Sequence, residues 1–312
     1  MKSHQCTLFG KAVPGKISEE QLDHYRKFSA FTYPGSYQSF IKDELPDDVR
    51  EVGRLLRAQI VHRVTLARGN SGSNSDLRYG DMRQIPWWRQ PEDDNFPTAA
   101  ALLAELFRRD KQGFNPERKV ENKLIVTCRF VAILMAAILK SKGIPARVRS
   151  GFDSYTSPKP GKSCDHWITQ YWESKQESWI TIDVDNCFED LRFDPFDLPP
   201  DLFDWSADVW LKAREGKVDP ARFWNAGGFE GLMPIAWALF DDFHSLMNNE
   251  IVYNHIPRYV AVGEFERISQ ANLEKMDDLA RLMLKPDENF DELCQLWQTE
   301  PDLRLLSGSL LN

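Results

Sequence analysis

A thiol, an imidazole and a carboxylate held together make a nucleophilic centre. The imidazole takes the thiol proton, the thiolate attacks a carbonyl carbon, and the carboxylate fixes the imidazole tautomer and stabilises its charged form. In this 312-residue chain the residues whose types and settings suit that chemistry are Cys128, His166 and Asp183. They lie 38 positions (166 − 128) and 17 positions (183 − 166) apart, so the fold must bring them together. Asp185, two residues beyond Asp183, is a second candidate for the acid.

The element that must carry the thiol is a helix. Thr127 suits an N-cap, and Cys128 to Lys140 is apolar around most of its circumference, which predicts a central, buried helix. Lys140 and Lys142 sit where the dipole favours cations, Gly143 suits the left-handed position after the last turn, and Ile144-Pro145 leads the chain away. Cys128 then falls in the first turn. Unpaired N–H groups and the positive dipole end favour a thiolate there, lowering its pKa from the free value of about 8.5. The same N–H groups can receive an oxyanion. Taken alone, the helix suits an inert, small, buried cysteine better.

The imidazole and the acid belong to a predicted hairpin. His166 to Trp172 and Trp179 to Asp183 have strong β character, and Glu173 to Ser178 forms the turn. With Trp172 opposite Trp179, Asp183 is a diagonal neighbour of His166 and Asp185 opposes it. In a register two residues tighter, Asp183 itself stands opposite His166. Both registers put the two acids on the His166 face of the strands.

Together these features resemble the core of the transglutaminase-like cysteine superfamily. The resemblance rests on Cys128 opening an apolar helix that ends in Gly143-Ile144-Pro145-Ala146-Arg147, on Asp165-His166-Trp167 opening a strand, and on Trp179-Ile180-Thr181-Ile182-Asp183, in the order Cys, His, Asp. It covers about residues 110 to 190. It implies an α+β fold: a papain/transglutaminase-like core whose cysteine-bearing helix packs on an antiparallel sheet. It also implies thiol-dependent amide acyl chemistry, hydrolysis or acyl transfer through a Cys thioester, with Cys128, His166 and Asp183 as a catalytic triad. Relatives usually supply a second oxyanion donor, a Gln or Trp side chain, from upstream of the nucleophile; Trp87, Trp88 and Gln90 are candidates by type. A catalytically silent binding protein of the same fold and a peptide N-glycanase-like amidase are the alternatives, the latter without that enzyme's paired CxxC zinc sites.

Around this core the expected organisation is a mostly helical region over residues 1–110, a catalytic core over 111–195 and a helical C-terminal region over 196–312. Asp47-Asp48 is placed to cap a helix through Val49, Val52, Leu55, Leu56, Ile60 and Val61, within a largely helical stretch from 19 to 68. Gly69 to Asp76 is too polar to pack and reads as a surface loop. Thr98 opens a further helix, Ala99 to Arg109. Trp205, Trp210, Trp224 and Trp237 are expected packing anchors beyond Pro195.

Bulk properties narrow the partners. A net charge of −8, with both signs mixed along the chain, argues against nucleic acid and anionic membranes. The longest apolar run, Val131 to Leu139, is too short to span a bilayer. The first residues lack a secretory h-region, which points to the cytoplasm. Five dispersed cysteines read as reduced thiols, and Cys164, His166 and Cys187 would need a distant fourth ligand to hold zinc. Gly161-Lys162-Ser163 lacks the first glycine of a phosphate loop, and HExxH, GxGxxG and GxSxG are absent. No cofactor is expected; the partner is a peptide, protein or small amide substrate.

Overall fold

The computed structural model describes residues 17–63, 84–89, 92–93, 95–253 and 256–304. The polar Gly69–Asp76 stretch and Gln90 lie outside them. Helices and an antiparallel sheet give an α+β architecture.

Three short helices open the described chain: α1 (Glu19–Arg26), α2 (Gln38–Glu44) and α3 (Val49–Arg57). Asp48 caps α3 by accepting from the Arg50 and Glu51 amides, as its sequence predicts. The helix does not continue to Val61. It stops at Arg57, and Ile60–His62 forms a strand, β1, parallel to β2 (Leu124–Val126). Two adjacent β-branched residues facing a Leu-Ile-Val partner gain more from pairing than from another helical turn. The strand thereby places the segment after α3 beside the residues that lead into the helix opened by Cys128. Next come α4 (Ala99–Arg109), capped by the Thr98 hydroxyl on the Ala101 amide, and α5 (Cys128–Ser141), closed by Gly143 at φ 77°. Every residue of α5 is buried. Even Lys140 is enclosed, donating to Asn248 Oδ1 at 2.6 Å.

The sheet runs β5 (Ser178–Ile182), β4 (Ser163–Glu173), β3 (Ala146–Asp153) and β6 (Phe203–Trp205), with β7 (Phe223–Trp224) parallel to the start of β4. Trp172 opposes Trp179, the first of the two registers the sequence allows. Helix α5 packs on β3 and β4, where Thr169 Oγ1 donates to the Ala132 carbonyl at 3.3 Å. At Gly151 a Cβ would sit 2.5 Å from the Asp204 carbonyl. Only glycine lets β6 come this close to β3.

The C-terminal residues form α6 (Ser206–Arg214), α7 (Leu232–Leu246), α8 (Gln270–Met283) and α9 (Phe290–Thr299). Trp210 is fully buried among them and donates to Asp277 at 2.8 Å; Trp205, Trp224 and Trp237 are only partly buried. β6 and β7 belong to this stretch yet add strands to the sheet, so the region is not purely helical. Its apolar core also takes in Tyr25 and Phe152, while α5 centres a second core with Ala146, Val148 and Trp167. No helix of the described residues is long and apolar enough to cross a membrane.

Candidate active site

Cys128 opens α5 and is 6% exposed. Thr127 has the extended backbone of an N-cap but makes no side-chain bond to the helix. Its hydroxyl instead lies 2.8 Å from Tyr253 Oη, so the first-turn N–H groups receive no hydroxyl cap from it.

His166, on β4, places Nε2 3.0 Å from Asp183 Oδ2. β5 ends at Ile182, one residue before Asp183, whose own amide donates to the Pro195 carbonyl at 2.7 Å. The carboxylate therefore leaves the ladder and reaches diagonally to the imidazole. Tyr155 Oη at 2.7 Å and Asn186 Nδ2 at 2.8 Å donate to the same oxygen, and the Asn186 amide donates to Oδ1 at 3.2 Å. Burial works to raise the Asp183 pKa, but His166 and these donors outweigh it and the carboxyl is held below its ordinary value. An ionised carboxylate only accepts, so Nε2 carries a proton.

Asp185 does not share this face. Once β5 has ended, the chain turns and Asp185 pairs with Arg57 Nε at 3.1 Å and His62 Nε2 at 3.5 Å. The shared face expected for the two acids fails because period-two alternation ends with the strand. The geometry thus separates their roles. Asp183→Asn is expected to lower turnover about 10²- to 10⁴-fold by disturbing the imidazole tautomer. Asp185→Asn is expected to leave turnover within a few-fold and to destabilise the protein by about 1–3 kcal/mol through loss of the carboxylate charge beside the buried Arg57 guanidinium. Parallel rate and thermal-unfolding measurements on the two variants check this; equal rate losses would contradict it.

His166 and Cys128 each shift the other's titration. Burial pulls the imidazole down, but the Asp183 charge and hydrogen bond and the Cys128 contact lift it well above its ordinary value. For the thiol, burial pushes the pKa up and His166 only partly offsets it. The lowered thiol pKa expected at a helix start is therefore reversed, because the first turn is enclosed and desolvation outweighs the favourable charges. A second carboxylate, Asp153, lies 3.8 Å from Nδ1 and accepts from the Thr156 amide and hydroxyl at 2.9 Å. A thiol with a raised pKa is protonated below that pKa, so its thiolate fraction grows with pH. Alkylation of Cys128 by iodoacetamide is expected to accelerate from about pH 6 to about pH 9. A rate already on its plateau at the acid end would contradict the burial effect.

Of the candidate upstream oxyanion donors, Trp88 is 65% exposed. The side chain of Trp87 and the whole of Gln90 lie outside the described residues. Sequence reasoning missed Tyr155, Asn186, Asp153 and Tyr253. Asn186 carried a signal, three residues after an acid at a strand end, where short polar side chains bond back locally. Tyr253, 125 positions from Cys128 (253 − 128), carried none. Cys128, Cys164, Cys187 and Cys294 are free thiols, and among the described residues no group of three or more His, Cys, Asp or Glu is placed to hold a metal ion.

Searches of curated proteins and of solved structures return no significant match. A family model does match: residues 107–184, a span that contains Cys128, His166 and Asp183 and stops short of Asp185, match the model of the transglutaminase-like superfamily.

Proposed function

We propose that the protein carries out thiol-dependent amide acyl chemistry on a papain-like core, with Cys128 as nucleophile, His166 as base and Asp183 as the acid that orients it. The observation that carries this reading is the 3.0 Å bond to Asp183 from Nε2 of His166, on a strand against which the helix opened by Cys128 is packed. In the forward step Sγ bonds to the carbonyl carbon and the C=O electron pair moves onto oxygen. The thiol proton passes to His166. Collapse of the intermediate breaks the C–N bond, and His166 returns the proton to the departing amine, leaving a thioester. Water or a second amine then takes the acyl group. The expected division into a core over 111–195 with flanking regions belongs to the same proposal.

The test is a peptide library incubated with the protein, with and without methylamine. Mass analysis is expected to show hydrolysed peptides in water or amine adducts with methylamine, and neither with Cys128→Ala. Turnover that survives Cys128→Ala would overturn the reading.

A further inference from the structure

Resting on that acyl-transfer reading, we propose that the Tyr253 hydroxyl is the second oxyanion donor, a catalytic residue supplied from downstream of the triad. Tyr253 Oη lies 3.8 Å from Cys128 Sγ. That is too long for a strong bond to the thiol. It is nevertheless a separation from which an oxygen two bonds away from sulfur can come within the about 2.7–3.1 Å that an oxyanion donor needs. The backbone N–H groups of the α5 first turn lie beside the same sulfur and supply the other donor.

The hydroxyl is held there by both neighbours of the nucleophile. Thr127, immediately before Cys128, keeps its hydroxyl 2.8 Å from Tyr253 Oη and spends none of it on capping the helix. When the Thr127 hydroxyl donates, the Tyr253 proton is left to point at the substrate oxygen. Arg129, immediately after Cys128, grips the segment that delivers the tyrosine: its Nε donates to the Ile251 carbonyl at 2.7 Å and its Nη2 to the Glu250 carbonyl at 2.5 Å. Trp167 and Phe130 meet the Tyr253 ring edge-on, with centroids 6.0 and 6.5 Å away. Donor, nucleophile and helix start are therefore one rigid unit, and the donor needs no reorganisation as charge develops on the carbonyl oxygen. Burial raises the Tyr253 pKa well above its ordinary value, which keeps the group an O–H donor through the neutral range.

Two reagents separate an oxyanion donor from a group that merely tunes the thiol. Acylation of Cys128 by 4-nitrophenyl acetate forms a tetrahedral oxyanion. Alkylation by iodoacetamide is a displacement at saturated carbon and forms none. Tyr253→Phe is expected to slow acylation about 10²-fold while changing alkylation by less than about threefold. Thr127→Val keeps the ring and removes the orienting hydroxyl; it is expected to slow acylation selectively by about tenfold, and it stands in should Tyr253→Phe fail to fold. Unchanged acylation, faster acylation, or equal losses with both reagents overturns the proposal while a reactive wild-type Cys128 keeps the acyl-transfer reading. A wild-type protein in which neither reagent reacts at Cys128 overturns both.

Discussion

Replacement of His166 by alanine is expected to slow acylation of Cys128 by 4-nitrophenyl acetate by about 10⁴-fold or more, the scale seen when one member of a catalytic unit is removed. Three losses coincide in that variant. The thiol loses its base, and the thiolate loses the cation that offsets burial, so the already raised Cys128 pKa rises further. Asp183 loses the partner that holds its carboxyl down and, being fully buried, is left with Tyr155 and Asn186 alone. A buried carboxylate stripped of its counter-charge destabilises the fold by several kcal/mol or takes up a proton. The assay therefore pairs rates with thermal unfolding, read below the variant's own transition. Acylation within tenfold of wild type would show that the imidazole is a structural partner of Asp183 and nothing more.

The largest stability loss is expected outside the proposed triad, at Asp242. This carboxylate on α7 is fully buried and accepts from Arg149 Nε at 2.7 Å, Arg149 Nη2 at 2.9 Å and the Ser150 amide at 3.0 Å. Arg149 is buried too, and its guanidinium lies 4.4 Å from the Trp205 ring centroid. One side chain thus ties the longest C-terminal helix to the strand beside His166. Asp242→Ala strands a guanidinium and a backbone N–H in the interior, and is expected to cost about 3–5 kcal/mol. For a chain of this size that lowers the unfolding midpoint by about 10 °C. Calorimetry on Asp242→Ala checks it, and a loss under about 1 kcal/mol would mean that the bidentate pair barely repays its desolvation.

How much of this was legible in the sequence follows the range of the interactions. Helix α5 was, down to its first residue and its Gly143 exit, because apolar periodicity, the extended residue before it and the left-handed glycine are all local. The hairpin register was narrowed to two alternatives for the same reason, and the observed one follows from Trp172 meeting Trp179. Local periodicity misled at Ile60 and Val61, which fit the apolar stripe of α3 but are claimed by Leu124–Val126 some 60 positions later (124 − 60 = 64). It misled again at Asp185, where alternation was carried past the end of β5. What surrounds Cys128 and His166 was least legible. Tyr155 and Asp153 enter from the end of β3, and Tyr253 enters from beyond α7. Their positions depend on tertiary contacts that leave no periodic trace.

The central claim is that Cys128 becomes acylated because His166 activates it. The direct measurement is site-resolved mass spectrometry of the protein quenched in acid shortly after mixing with 4-nitrophenyl acetate. The acetyl group is expected on Cys128 in the wild type, ahead of the other cysteines, and is expected to vanish from Cys128 over the same interval in His166→Ala. Acetylation spread over Cys164, Cys187 and lysines with Cys128 unmodified, or Cys128 acetylated equally in both proteins, would contradict it.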